Sequence, residues 1–216
     1  MTSPLAYPAG VTIGALAVCT VWAPFATSNQ VAALATVALL ILCYTAFRAA
    51  TAFGVLPSGL PDPITVRVRR IRQEHRLVSR SWLEVTSKYT DPLWLPVYFD
   101  PALLSLIETD AASAEGVIRA GELRVYPSGR ARGSEPPGRL IDNPSRPDPE
   151  SAALARVATR WRRRLLLDAQ PAVAAPFAAL LWVYVDGGGL PAFTGACCVA
   201  FAAAVWLSAI RGSDPS

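Results

Sequence analysis

All 20 lysine and arginine residues of this 216-residue chain lie outside four long apolar stretches. The stretches cover residues 9–26, 30–47, 169–185 and 190–209, and none contains Asp, Glu, Lys, Arg or His. A membrane-spanning helix needs about 20 mostly apolar residues, because it rises about 1.5 Å per residue through a hydrocarbon core about 30 Å thick. A charge at mid-span would cost about 2.5–3.5 kcal/mol. The sequence therefore predicts four transmembrane helices.

The connections between the stretches predict how the helices are arranged. Residues 27–29 join the first two and residues 186–189 join the last two, so we expect two antiparallel helical hairpins. Lysine and arginine near span ends favour the cytoplasmic side. Such residues are Arg48, Arg160, Arg162, Arg163, Arg164 and Arg211. Both termini and the polar region 62–168 are therefore predicted to be cytoplasmic.

The composition suggests the membrane to which the protein belongs. Lys88 is the only lysine against 19 arginines, and alanine, proline and glycine are abundant, as in proteins of high-GC bacteria. We predict a multi-pass protein of the bacterial plasma (inner) membrane. A cleaved signal peptide at 9–26 is the alternative, but residues 1–8 carry no basic side chain and no clean small-x-small site follows.

The polar region divides the chain into four parts. Residues 1–61 form the first hairpin and a linker, residues 62–147 a β-rich domain, residues 148–168 an amphipathic helix, and residues 169–216 the second hairpin. The β-rich domain shows strand-like patterns at 64–69, 79–85, 93–99, 122–126 and, after a turn, 130–132. Five short strands predict a small antiparallel barrel or sandwich, inserted between helices 2 and 3.

Two segments within this region have other patterns. Asp100 before Pro101 is typical of a helix cap, and residues 111–120 are good helix formers that end at Gly121. One or two short helices are therefore predicted between strands. Residues 136–149 are rich in proline and charge, which predicts an extended linker.

The segment 148–168 is predicted to be an amphipathic helix at the membrane surface. Asp148 and Pro149 are typical of a helix start, and Leu154, Val157, Trp161 and Leu165 fall on one face. Its candidate contacts with anionic lipid headgroups are Arg160, Trp161, Arg162, Arg163 and Arg164. The alternative is a basic stop that only orients the next span.

Small residues mark the faces on which the spans are predicted to pack. Helices in lipid associate where small side chains let their backbones approach. The candidate packing residues are Gly10, Gly14, Ala196, Ala200 and Ala204. These two faces are expected to meet inside one bundle, or alternatively to form a seam with a partner or a second copy.

Two prolines predict that the third span is irregular. Pro171 and Pro176 remove amide donors near its start and middle, so this span should kink or begin late. Such breaks occur in transporter binding sites, but no matching break or mid-membrane polar partner is found in the other hairpin. A packing kink is the favoured interpretation.

The sequence contains no recognisable catalytic motif. It lacks a glycine-rich phosphate loop, a nucleophile elbow and a paired-histidine motif. The four cysteines lie within the spans without neighbouring His, Asp or Glu, so they are predicted to be packing residues. We predict no cofactor, no metal and no nucleic-acid partner, since the net charge of +4 is modest and the aromatic residues lie in predicted strands.

These observations favour a non-enzymatic membrane adaptor or accessory subunit of a larger transport or cell-envelope complex. Its expected partners are membrane lipids and other membrane proteins, or further copies of itself. One alternative is a small membrane enzyme acting on a lipid-linked or phosphate-bearing substrate, with Arg162, Arg163 and Arg164 holding phosphate and Asp100 or Asp168 as base. Another is a membrane lipid or stress sensor.

Overall fold

The structure is a computed structural model, and it describes most of the chain. The described ranges are residues 3–60, 64–87, 91–114, 117–143 and 149–216. The predicted helix cap Asp148 and the predicted domain boundary at residues 61–62 lie outside these ranges.

Three helices are long and apolar enough to cross a membrane. Helix α1 covers Ala6–Trp22 and continues through a 3-10 turn at Ala23–Phe25, helix α2 covers Ser28–Ala52, and helix α6 covers Gly189–Ile210. They coincide with the predicted first, second and fourth stretches, which confirms these as candidate spans. Helix α2 runs beyond its predicted end at residue 47 because no helix breaker precedes Gly54.

The predicted third span, residues 169–185, is broken rather than continuous. Its helical part, α5, covers only Ala175–Asp186 and follows a 3-10 turn over Gln170–Ala174. Pro171 is the second residue of the turn and Pro176 is the second residue of α5. A missing N–H is tolerated at these early positions. The late start predicted from these prolines is confirmed. The turn and α5 bend by 41° from the helix before them, Trp161–Asp168, so the pair is long and apolar enough for either one broken span or a re-entrant loop.

Local hydrogen bonds fix the short connections between the helices. Thr27 and Gln30 form a capping box, in which each backbone N–H donates to the other side chain at 3.1 and 3.5 Å. Gly187 and Gly188 adopt positive φ, which lets the chain turn directly from α5 into α6. The Gln30 amide then donates to Asp186 at 3.0 Å and ties the two connections together.

An antiparallel sheet lies between the two groups of membrane helices in the sequence. Its strands in the described residues are β1 (Ile64–His75), β2 (Val78–Thr86), β3 (Leu93–Val97), β4 (Thr109–Ala114), β5 (Val117–Ala120), β6 (Leu123–Val125) and β7 (Arg139–Asp142). The order is β3-β2-β1-β4-β5-β6, and β7 pairs with the second half of β1. The described strands thus form one antiparallel sheet with the curvature of a half-barrel, which confirms the antiparallel β-domain and corrects the two-sheet sandwich.

The predictions around Asp100 are confirmed in part. Asp100 does cap a 3-10 turn at Pro101–Ser105, accepting from the Ala102 N–H at 2.8 Å. The helix predicted at 111–120 is wrong, because this segment forms β4 and β5. Burial alternates there, and tertiary pairing with β1 overrides the local helix preference.

Two further predictions for the polar region are corrected. The predicted linker at 136–149 contains β7, which pairs with Ile71 to Glu74 of β1. The predicted strand at 130–132 provides only an isolated bridge between Arg132 and Trp94. Both irregular segments pair with strand edges, β7 with β1 and Arg132 with β3. Without these segments, the backbone N–H and C=O groups on those edges would remain unpaired.

The helices and the sheet each have an apolar core. The sheet core includes Val68, Leu83 and Leu95, all fully buried. In the bundle, α1 packs against α6. The contact residues of α1 are spaced by four: Tyr7, Val11 and Ala15. Those of α6 are Val205, Trp206 and Ala209. Helix α2 contributes little, since only 6% of its apolar window is buried.

The predicted amphipathic helix at 148–168 is two helices. Helix α3 covers Ser151–Ala158 and helix α4 covers Trp161–Asp168. Arg160 between them has extended backbone, with ψ 122°. The Thr159 hydroxyl donates to the carbonyl of Ala155, which competes with helix continuation.

Candidate functional site

A cleft of about 430 Å³ lies between α2 on one side and α5 and α6 on the other. It begins at the helix connections, beside Thr27 and Gly188, at the end of the bundle away from the sheet. On α2 it reaches Val37 and on α6 it reaches Ala203. Ten helical residues rise about 15 Å, so the length of the cleft is about half the thickness of a hydrocarbon core.

Small side chains dominate the walls of the cleft. Half of the residues that line it are glycine or alanine. They include Ala33 of α2, Ala178 of α5, and Ala192, Gly195, Ala196 and Ala200 of α6. Small residues permit close approach of another backbone. The cleft therefore offers an apolar surface on which a helix can pack at short distance.

The structure does not bring the two predicted small-residue faces together. Ala196 and Ala200 line the cleft, and Ala204 is half-buried further along α6. On α1, a Cβ at Gly10 would approach the Trp161 indole to 2.4 Å, whereas a Cβ at Gly14 would meet no atom within 4 Å. Gly10 thus allows α4 to contact α1, while the α6 face remains open.

Aromatic and polar residues surround the mouth of the cleft. Trp22, Phe25 and Trp182 lie among its lining residues near the connections. The hydrogen bond between Gln30 and Asp186 lies at the same end. Tryptophan is enriched at membrane–water interfaces. The tryptophans and this polar pair thus lie together at the end of the cleft beside the helix connections.

The predicted headgroup contacts on α4 have different environments. Arg160, Arg162 and Arg163 are exposed, and Trp161 is half-exposed with its ring 5.1 Å from the Tyr7 ring. Arg164 is buried, and its guanidinium carbon lies 3.8 Å from the centre of the Tyr7 ring. Arg164 therefore packs inside the protein, and the other four residues lie on its surface.

The structure brings together only some residues of the predicted enzyme site: Arg164 and Asp168 both contact Tyr7. Asp100 caps the 3-10 turn of the sheet region. Asp168 is buried and accepts hydrogen bonds from the Tyr7 hydroxyl at 2.6 Å and the Ser213 hydroxyl at 3.0 Å. Both carboxylates are used in structural hydrogen bonds. Arg162, in contrast, lies on the exposed surface of α4.

A buried polar junction connects the segment after α6 to the sheet. The Arg70 guanidinium donates to the Asp214 carboxylate at 2.6 Å, and the Ser81 hydroxyl donates to the same oxygen at 2.5 Å. Burial alone would raise the pKa of Asp214, but the Arg70 charge and the hydroxyls of Ser81 and Ser216 reverse this and hold the pKa below its ordinary value. Together with the Asp168–Ser213 bond, this network fixes the sheet to the helices.

The polar junction has one signal in the sequence. Arg70 continues the inward-facing row of Val66 and Val68, so the strand pattern places a charge on an apolar face.

In the described residues, no group of three or more His, Cys, Asp or Glu side chains could hold a metal ion. No protein-family model, curated protein or solved structure matches this chain.

Proposed function

We propose that this chain is a non-enzymatic accessory subunit of a larger transport or cell-envelope complex in the bacterial plasma membrane. The open cleft between α2 and α6 receives a transmembrane helix of that complex. The sheet faces the cytoplasm, as the basic residues at the adjoining helix ends favour, and serves as an interaction module. The cleft is the observation that supports this proposal.

A helix suits the cleft better than a lipid chain because of the small residues in its walls. Ala192, Ala196 and Ala200 repeat every four residues along α6, which is the spacing that lets two helices approach closely in lipid. A flexible acyl chain has no need of such a regular flat surface. Helix α2 is also little packed within the bundle, which leaves room for a partner on its exposed side.

A membrane lipid sensor is the second candidate. Arg160, just before α4, and Trp161 and Arg162 of α4 are exposed next to the helix bundle, where they can contact anionic headgroups. The polar junction joins the same region to the sheet. The membrane enzyme is less favoured because its predicted carboxylates serve structural hydrogen bonds.

The first prediction concerns the cleft and its partner. Ala196→Leu and Ala200→Leu fill the cleft, so each variant should lose a stoichiometric membrane partner that wild type retains in mild detergent. Cys198→Leu adds similar volume on the exposed side of α6, outside the cleft, and should retain that partner. The measurement is a tagged pull-down from native membranes with mass spectrometry. A chain that is strictly monomeric in native membranes would exclude the accessory-subunit proposal.

A further inference from the structure

Four arginines from four separate segments gather where the membrane helices meet the sheet. Arg48 lies in the last turns of α2, Arg211 follows α6, Arg80 lies on β2, and Arg132 follows the turn beside β3. We refer to these four residues as the arginine cluster. All four residues are half-buried.

Several contacts hold the arginine cluster together. The Arg132 guanidinium carbon lies 4.3 Å from the centre of the Trp82 ring, and Trp82 shares a sheet face with Arg80 two residues earlier. Arg48 Nη1 lies 3.0 Å from the place of a Cβ on Gly129, next to Pro96. Glycine at 129 therefore leaves space for Arg48 to reach this edge of the sheet.

The two helix arginines are positioned by one tyrosine. The Arg48 guanidinium carbon lies 5.4 Å from the centre of the Tyr44 ring, and Arg211 Nε donates to the Tyr44 hydroxyl at 3.5 Å. Arg48 also donates to the carbonyl of Ile210, the last residue of α6. These contacts fix both side chains at the junction, yet none of them supplies a negative charge.

No carboxylate of the described residues lies within ion-pair distance of the arginine cluster. The ion pairs that the structure does show on the sheet involve other arginines: Arg67, Arg69, Arg70, Arg72 and Arg139. Within the described part of the chain, Arg80 Nε and Arg132 Nε are buried without a hydrogen-bond partner. The cluster thus concentrates positive charge with donors left over.

Burial and mutual repulsion make this arrangement unfavourable without an anion. Burial, with the charges of Arg211, Arg48 and Arg132, lowers the pKa of Arg80, and burial lowers the pKa of Arg132. Arginine nevertheless stays protonated at neutral pH. A group of fixed, partly desolvated positive charges is stabilised when an anion binds between them.

The position of the cluster indicates where the anion comes from. Arg48 is 20 residues beyond the start of α2 and Arg211 is 22 residues beyond the start of α6. At about 1.5 Å per residue, both lie about 30 Å from the far ends of their helices, at the edge of a hydrocarbon core. Lipid headgroup phosphates occupy this level.

We propose that Arg48, Arg80, Arg132 and Arg211 form a binding site for a phosphate group, supplied by the headgroup of an anionic phospholipid. The planar guanidinium fork matches phosphate oxygens, and stacking on Trp82 holds Arg132 flat. The site is separate from the cleft, which opens at the other end of the helices. It differs from the exposed arginines of α4 because its side chains converge from four segments.

The second prediction tests this site with the full chain in detergent. Short-chain phosphatidylglycerol should raise the midpoint of thermal unfolding of wild type in a saturable manner, and phosphatidylcholine of the same chain length should do so much less. Arg80→Gln and Arg132→Gln should each weaken the affinity for phosphatidylglycerol about tenfold, since each removes a charge-assisted contact. Arg119→Gln, an exposed arginine on β5, is the matched control and should bind like wild type.

The unfolding temperatures of the variants without lipid provide a second test. They distinguish an anion-binding role of the arginine cluster from a purely structural one. Without lipid, Arg80→Gln should unfold at the same temperature as wild type or higher, because it relieves repulsion. With lipid, wild type should become the more stable protein. Equal lipid responses in wild type, Arg80→Gln and Arg132→Gln would overturn the proposal, as would an equal loss in Arg119→Gln. If inorganic phosphate raised the unfolding midpoint as much as phosphatidylglycerol does, the proposal that a lipid headgroup supplies the phosphate would be wrong.

Discussion

At the scale of single residues, Arg70 and Asp214 are the most deeply buried ion pair among the described residues. Their side chains are 3% and 0% exposed. Removing one charge of a buried pair leaves the other without compensation, which costs far more than the loss of a surface pair. The polar junction therefore needs both charged side chains, even if the pair as a whole adds little to the free energy of unfolding.

The third prediction follows from this pair. Asp214→Asn should lower the free energy of unfolding by about 3–5 kcal/mol, because Arg70 stays buried without a counter-charge. Asp110→Asn, which breaks an exposed pair with Arg67, should cost less than about 1 kcal/mol. Denaturant unfolding of the full chain in micelles measures both. Equal losses in the two variants would show that the junction is not buried as described.

The same pair has a defined pH dependence. The folded-state pKa of Asp214 lies below the ordinary 3.8, so its stabilisation is present above pH 3.8 and is lost as the pH falls toward the folded value. The difference between wild type and Asp214→Asn should accordingly be constant near neutral pH and narrow below about pH 4. A difference that persists unchanged in strong acid would contradict the ionised Asp214.

Sequence patterns could reveal only half of this pair. The alternation of Val66, Val68 and Arg70 along β1 marks Arg70 as a charge on an inward face, which calls for a partner. That partner lies 144 residues later in the chain. No local pattern connects two residues so far apart, because their contact depends on how the segment after α6 returns to the sheet.

At the scale of elements, hydropathy predicted the three long apolar helices well and local propensity predicted the sheet region poorly. A span has to satisfy its backbone internally, so length and apolarity are sufficient signals for α1, α2 and α6. Residues 111–120 have the composition of a helix, yet β1 offers them backbone partners and they pair as strands. The sheet thus depends on neighbours that a sequence window does not contain.

The fourth prediction concerns the contact between α1 and α4. Gly14→Ala should stabilise the protein by about 0.5–1 kcal/mol, because alanine favours a helix and a Cβ there meets no atom within 4 Å. Gly10→Ala has the same helix preference but displaces the Trp161 indole from Tyr7, which costs about 0.5–1.5 kcal/mol. Its unfolding midpoint should therefore fall below that of Gly14→Ala. Identical midpoints would show that Trp161 does not rest on Gly10.

At the scale of the whole molecule, the segment after α6 joins the two cores. Ser213 bonds Asp168 of α4, Asp214 bonds Arg70 of β1, and the carbonyl of Pro215 accepts from Arg163 at 2.9 Å. The backbone N–H of Asp214 also donates to the carbonyl of Ser79 in β2. The sequence predicted linkers on both sides of the β-rich domain, and these contacts attach the sheet directly to the bundle.

The fifth prediction tests this attachment. A chain lacking residues 213–216 loses the bonds to Asp168, Arg70 and Arg163, so thermal unfolding in micelles should separate into two transitions, one for the sheet and one for the helices. Wild type and Ser216→Ala should unfold in one transition. Hydrogen exchange should also rise in β1 and β2 of the shortened chain. A single transition at the wild-type midpoint would contradict the joined cores.

The fastening of the sheet to the end of α6 has a mechanical consequence. Helix α6 forms one wall of the cleft, and its last residue is followed immediately by the segment held between Arg70 and Asp168. A sheet that turns must either break these bonds or rotate α6 with it. Any change in the orientation of the sheet that preserves these bonds would therefore also change the wall that α6 gives to the cleft.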